Sequence, residues 1–492
     1  MHAAHGQESL GEWMQRQYRF SATAMLRAVS ATHLVKQRLA FGQTVRPARG
    51  SVLASPELGE DDPNPDYFFH WLRDSALVID ALRELIEDRT LGPGALDHFN
   101  DFVEFSLALN KLDGPALLRL DDFRQKVDPD VLKFVRDDGD FSSVVGDRVL
   151  GEVRFTPDGT LDIFRWSRPQ NDGPALRALA VLRFWRLESL RSRMRPASMR
   201  ALLERDIAFT CAVWREPCYD LWEENYGRHY YTRLVQHAAL REGAAWAQEL
   251  GEAQRAQEWR EAAEAIARGL DDHFDADAGV YLTPANEDPG EPRHPFAMRL
   301  DIAVIFGVIH ADRRDGSHSV LDPKVLATMV ALEQLFAMDY PINWRRALDC
   351  APAIGRYAND KYFSGGAYYF STLAAAQFYY CFAEAVGTGA AVAVSSENRA
   401  ILAGWLGLPP EALAAATLET GYRPSLCKAL VAYGDMFMAM VRAHAPESGE
   451  LSEQFSQIDG APTSAKNLAW SYAAFITAFA CRREAIRSSE AV

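Results

Sequence analysis

Helical periodicity recurs from one end of this 492-residue chain to the other, with almost no sustained alternation, and that pattern limits the fold more than anything else. Leu77, Ala81, Leu82, Leu85 and Ile86 fall on one helical face, as do Ala256, Trp259, Ala263, Ile266 and Leu270. DGPALRALAVLRFWRL puts Pro174 near a helix start, where a missing N–H costs little. The pattern predicts further helices over roughly 10–40, 96–110, 197–214, 232–250, 325–338, 370–386, 425–443 and 467–486. Strand candidates are short and broken by Gly and Pro, GEVRFTPDGTLDIF among them. Residues 387–396 form a loop of small residues, and no Gly-, Pro- or Ser-rich linker divides the chain. The chain therefore reads as mainly α-helical, with residues 1–492 forming a single domain.

Composition removes several classes of function. With 48% hydrophobic and 11% aromatic residues the chain can build a large core. A net charge of −15, with no Lys/Arg-rich stripe, argues against nucleic acid and anionic membranes as partners and is compatible with a neutral carbohydrate. The six cysteines, Cys211, Cys218, Cys350, Cys381, Cys427 and Cys481, form no C-x-x-C pair, so most are expected as free thiols. The opening MHAAHGQESLGEWMQRQYRF lacks an apolar signal-peptide core, and no run of about 20 apolar residues occurs. As written the chain is expected to be cytoplasmic, with a mature secreted or periplasmic form left open. No nucleophile elbow, dinucleotide fingerprint or Walker loop is present, and His229 and His237 lack metalloprotease spacing.

Between the helical segments lie six stretches dense in aromatic, Arg and carboxylate residues: PDYFFHWLRD, RWSRPQNDGP, YDLWEENYG, RLD at 299–301, GRYANDKYF and ELSEQF. Each adjoins a helical run, as expected if six helical hairpins deliver one loop apiece to a common mouth. Carboxylates and guanidinium groups hydrogen-bond pairs of sugar hydroxyls, while aromatic faces pack on the ring's C–H surface. The first stretch supplies both kinds of group in Tyr67, Trp71, Arg73 and Asp74, although a hydrophobic staple with an Asp N-cap would look the same. Trp166, Arg168, Gln170 and Asp172 repeat the grouping, alternatively as a surface turn before a helix. Glu223 and Glu224 follow Trp222, whose indole can desolvate a carboxyl and suit it to general-acid work; a solvated helix face is the alternative. Glu450 and Glu453 flank Ser452, which alone reads as a capping box.

Taken in order, DYFFHWLRDS, WSRPQNDGPALRA, DLWEENYG, RYANDKYF and SEQFSQIDG followed by WSYAA resemble the glucoamylases, glycoside hydrolases of family fifteen, from roughly Arg16 to Arg483. The resemblance implies an (α/α)6 barrel of six inner and six outer helices, with the active-site pocket at one end and no separate starch-binding module. It implies inverting release of β-glucose from the nonreducing ends of α-linked oligo- or polysaccharides, a glucan 1,4-α-glucosidase activity that requires neither metal nor organic cofactor. Glu223 matches the family's general acid, Glu453 its general base, and Glu224 a sugar ligand near the scissile bond. Arg73 and Asp74 match the pair that grips the terminal glucose, Arg356 another sugar-binding arginine, and Tyr67, Trp71 and Trp166 the aromatic wall; Trp222, beside the acid, is expected to bind substrate as well. At GGAYYF, Ala367, Tyr368 and Tyr369 stand where many relatives have Asn-Pro-Trp, so Tyr369 is expected to replace an indole platform beyond the cut. Linkage and chain-length preference are therefore open. The family includes glucodextranases, isomaltose-hydrolysing members and trehalases, and similar domains occur as noncatalytic parts of phosphorylase kinase regulatory subunits. Retention of Glu223, Glu453, Arg73 and Asp74 favours an enzyme over a glucan sensor.

Overall fold

The computed structural model describes residues 8–59, 65–120, 123–284 and 296–490. Residues 1–7, part of the segment read for a leader, lie outside the described residues. No described helix is long and apolar enough to cross a membrane.

Among the described residues, twelve helices alternate along the chain between two rings. The outer ring consists of α1 (Leu10–Leu26), α3 (Leu96–Leu109), α5 (Pro196–Val213), α7 (Ala253–Leu270), α9 (Pro323–Asp339) and α11 (Arg423–His444). The inner ring consists of α2 (Leu72–Glu87), α4 (Gly173–Trp185), α6 (Tyr230–Glu249), α8 (Ala303–Ala311), α10 (Tyr369–Gly387) and α12 (Ala469–Ser489). Each inner helix packs on the next, and α12 returns to α2, which closes the (α/α)6 barrel that the resemblance implies.

The two rings differ in sequence for a physical reason. An outer helix has one wet face: α7 buries Ala256, Trp259, Ala263, Ile266 and Leu270 and exposes Gln257, Arg260 and Glu264. An inner helix is covered nearly all round, so α10 buries every residue except Gln377 and Glu384. Periodicity accordingly fails to predict α8, whose AVIFGVIHA has no polar face to mark the period. The helix predicted over 10–40 is too long. It stops at Leu26, after which Ser30 takes a left-handed φ of 52° and Val29 bridges to Val52, turning the chain back.

Short antiparallel strands brace the loops that enter the inner helices. β1 (His70–Trp71) runs directly into α2 and pairs with β2 (Arg154–Thr156), which turns at Gly159 to pair with β3 (Thr160–Leu161). β4 (Cys218–Tyr219) and β5 (Tyr226–Gly227) form the ribbon whose tip carries residues 220–225 ahead of α6. β6 (Ala367–Tyr368) leads into α10 and pairs with β7 (Gln454–Phe455), itself paired with β8 (Pro462–Thr463). A Cβ at Gly173 would stand 2.6 Å from the Leu72 Cβ. Glycine therefore lets the first turn of α4 meet that of α2, which sets Asp172 against Arg73. Deeper in the barrel wall the fully buried Arg177 and Asp206 pair at 2.7 Å and tie α4 to α5. Removing one partner from such a pair typically costs about 3–5 kcal/mol.

Candidate active site

The loops at the N-terminal ends of the inner helices surround a cavity of about 530 Å³, within the roughly 300–1,000 Å³ usual for small-molecule sites. Tyr67, Trp71, Arg73, Asp74, Trp166, Trp222, Glu223, Glu224, Arg356 and Glu453 all line it. Five of the six stretches singled out in the sequence thus contribute directly. The sixth acts at one remove, because Asp301 accepts the Trp222 indole N–H at 2.7 Å. Burial pushes Asp301 up to about 8.

Glu223 sits at the tip of the β4–β5 ribbon with a left-handed φ of 68°, a conformation that non-glycine residues seldom adopt. Asp220 imposes it: its carbonyl accepts the Glu223 N–H at 3.0 Å and its carboxylate accepts the Glu224 N–H at 2.8 Å. The turn aims the Glu223 carboxyl inward, where it accepts from Trp71 Nε1 at 2.9 Å, Arg73 Nη2 at 3.0 Å and Trp166 Nε1. Trp71 is 4% exposed and Trp166 43%, so the first indole belongs to the wall and the second to the rim. Between wall and rim Arg154, held by Asp162 at 2.9 Å, lies 3.7 Å from the Trp166 ring centroid and 4.9 Å from that of Trp71.

Glu453 precedes β7 and is 8% exposed. Ser464 Oγ donates to its Oε2, and Tyr67 donates to its Oε1 at 3.3 Å while sharing a 2.7 Å contact with the Tyr362 hydroxyl. Burial pushes Glu453 up to about 7, against the pull of Ser464, Arg356 and Tyr67.

Arg73 gathers three carboxylates. Its Nη1 donates to Gln170 at 3.0 Å and Asp172 at 3.1 Å, and its Nη2 to Glu223. Burial works against its charge, but Asp172, Asp74 and Glu223 outweigh it and hold the guanidinium above its ordinary pKa. Arg73 Nε and Asp74 Oδ2 stand 3.6 Å apart, too long for a hydrogen bond, and both atoms are buried without a partner. Both atoms are closed off from the cavity, whereas the Asp74 side chain as a whole keeps 11% of its surface open, so a ligand meets the rest of that carboxyl. Burial also pushes Asp74 up to about 6, with Arg73 opposing. Across the cavity Arg356 donates to Glu224 at 2.8 Å and is anchored by Asp360 at 2.7 Å, while Tyr357 donates to the other Glu224 oxygen.

These contacts dispose of the capping alternatives. α2 is capped at Trp71, so Asp74 lies inside its first turn. Asp172 occupies the N-cap of α4 but gives its carboxylate to Arg73. Ser452 donates to the Gln454 carbonyl and caps nothing, since the next helix starts at Ala469. Arg168 is taken up by Glu152 and Asp162, and Glu450 is exposed outside the cavity.

The expectation for Tyr369 is corrected. Its side chain is fully buried as the first residue of α10, its hydroxyl donates to the His444 carbonyl at 2.6 Å, and its ring packs 4.7 Å from Phe455. It is absent from the cavity lining, where Tyr368 stands instead. A one-residue offset decides this, because Ala367 and Tyr368 form the strand that reverses the facing of successive side chains. Tyr362, Tyr368, Phe370 and Trp470 also line the cavity without having been expected as site residues, though all four lie inside quoted motifs. Nothing in the sequence marks Ser464, whose positive φ of 62° directs it at Glu453.

A carboxyl pair in a cavity walled by indoles, phenols and guanidinium groups is equipped for acid–base cleavage of a carbohydrate bond, which places the protein among the glycoside hydrolases. The chain belongs to the family described as Glycosyl hydrolases family 15, whose model matches residues 30–110 and 126–480. It is similar to a protein named Glucoamylase from Blastobotrys adeninivorans, at 27% identity over 466 residues, covering 89% of this chain and 68% of that one. Among solved structures it resembles the family 15 glucoamylase of Hypocrea jecorina, with a TM-score of 0.76 and 25% identity over 96% of this chain and 72% of that one. The Saccharomycopsis fibuligera glucoamylase shares its fold at a TM-score of 0.78 and 24% identity, with 99% of each chain covered.

Proposed function

We propose that the protein is an exo-acting, inverting hydrolase of α-linked glucans, with residues 1–492 as one catalytic unit, Glu223 as general acid and Glu453 as general base. The observation that carries this reading is the convergence of both carboxyls on one cavity that Arg73 and Asp74 also line. A terminal glucose hydrogen-bonds the exposed edge of the Asp74 carboxyl, whose side chain keeps 11% of its surface open. Phe370 and Trp470, stacked at 4.3 Å in the first turns of α10 and α12, line the inner part of the cavity, which favours a chain end over a through-going chain.

Glu223 hands a proton to the departing glycosidic oxygen while ionised Glu453 takes one from water attacking the opposite face of the sugar. The indole and guanidinium groups around Glu223 only donate, so none can share its proton. A protonated Glu223 keeps acceptor capacity beside its one O–H, so the O–H turns to the glycosidic oxygen, and rim-exposed Trp166 is the contact most readily exchanged. The names of the relatives favour α-1,4-glucan as substrate. Turnover on maltose, isomaltose, trehalose and soluble starch tests the reading: glucose release from maltose and starch is expected, and none from any of the four would leave a glucan sensor.

Glu453 works only when ionised, so activity falls as pH drops through its pKa. Ser464 favours the ionised form, and a hydrogen bond to a charged group is worth roughly 1.5–3 kcal/mol. Ser464→Ala is therefore expected to move the acid limb of the kcat/KM profile to higher pH by about one to two units. A limb that stays in place would separate Ser464 from the group that titrates.

A further inference from the structure

Two cysteines that the reaction does not use face each other inside the barrel wall. Cys381 on α10 and Cys481 on α12 lie on adjacent inner helices with their sulfurs 3.3 Å apart, and both are free thiols. Cys350 and Cys427 have oxygen partners instead, the Asp349 carboxylate and the Ala383 carbonyl. Cys481 also lines a second cavity, of about 90 Å³, toward the C-terminal ends of the inner helices. Its polar lining includes Asp80, Arg183, His310 and Arg314, and it has room for a few water-sized molecules at roughly 15 Å³ each. Cys381 is 3% exposed, so a small reagent reaches the pair from the Cys481 side.

We infer that Cys381 and Cys481 form an oxidisable pair, which a small peroxide converts to a disulfide linking α10 to α12. Peroxide oxidises the Cys481 thiol to a sulfenic acid with release of one water. Cys381 then attacks that sulfur, its proton and the sulfenic hydroxyl leave as a second water, and the sulfur–sulfur bond forms. Peroxide oxygen takes up the two electrons. The Cys381 contact and burial together hold the Cys481 thiol well above its ordinary pKa, so the thiolate is scarce and oxidation is slower than at an exposed thiol.

Each cysteine stands twelve residues beyond the start of its helix, Tyr369 or Ala469. At 1.5 Å per residue the link forms about 18 Å from the active-site end of the barrel. It therefore leaves the catalytic geometry alone while holding together the two helices whose first turns carry Phe370 and Trp470. Because it joins positions a hundred residues apart, it also constrains the unfolded chain and raises the apparent thermal midpoint, by about 4 °C.

The test exposes the folded, full-length protein to hydrogen peroxide, removes the oxidant, and counts thiols in denaturant. The expected result is a fall from six thiols to four, a single cross-linked peptide containing Cys381 and Cys481, a raised midpoint, and unchanged kcat at moderate temperature. Cys481→Ser should abolish the cross-link and the shift, and Cys381→Ser should leave a sulfenic acid on Cys481 that a 1,3-dione reagent traps. Six thiols surviving, a cross-link through other cysteines, or the same midpoint shift in Cys481→Ser would overturn the inference.

Discussion

Glu223→Gln and Glu453→Gln are each expected to fold like the parent and to lose about 10²-fold to 10⁴-fold in kcat. Glutamine keeps the volume and, at position 223, the one oxygen that accepts from both Trp71 and Arg73. At position 453 Tyr67 and Ser464 bond different oxygens, so one keeps its acceptor and the other hydroxyl turns to accept from the amide, and the walls stay in place. What disappears is the proton: an amide can neither give one to the leaving oxygen nor take one from water. Circular dichroism and thermal unfolding establish that the variants are folded, and initial rates of glucose release from maltose give kcat. Activity within about threefold of the parent in either folded variant would remove that residue from the reaction.

Asp74→Ala carries the second large effect. The Asp74 side chain lines the cavity with 11% of its surface open, so its contribution is realised when a sugar hydroxyl arrives. A hydrogen bond to a charged group is worth roughly 1.5–3 kcal/mol, which corresponds to about 10-fold to 100-fold in affinity. The variant is expected to bind a glucose-like iminosugar more weakly by that factor and to lose turnover as well, because the grip persists in the transition state. Arg73 remains neutralised by Asp172 and Glu223, so the barrel itself should survive. Calorimetry with the iminosugar reads the affinity, and an unchanged dissociation constant would contradict the assignment of Asp74 as a sugar ligand.

The sequence exposes the outer ring more readily than the inner one. Helices such as α7 keep a wet face and therefore a period, whereas α8 is apolar on every side and leaves no periodic trace. The overlong first helix is misread for a related reason: apolar residues continue past Leu26, and only the backbone at Ser30 reveals the reversal. At the site, the residue types in five loops suffice to collect ten lining side chains, because carboxylate, guanidinium and indole groups seldom share a loop without shared work. Position 369 fails because a two-residue strand decides which neighbouring tyrosine faces the cavity, and residue type cannot tell Tyr368 from Tyr369. Ser464 is illegible for another reason. A serine in a turn is ordinary, and only its φ and its contact with Glu453 give it a role.

Stereochemistry tests the central claim most directly, because it depends on the fold, on both carboxyl roles and on the direction of water attack. If Glu453 activates water on the face opposite the bond that Glu223 protonates, hydrolysis of an α-linked glucan inverts the anomeric centre. The sugar first released is then β-glucose. Proton NMR of a fresh digest distinguishes the anomers before mutarotation mixes them. The account predicts that the β-anomeric signal rises first and the α signal follows only at the mutarotation rate. An α-glucose signal that leads would require a covalent glycosyl-enzyme intermediate and would contradict the assignment of Glu453 as the base that activates water.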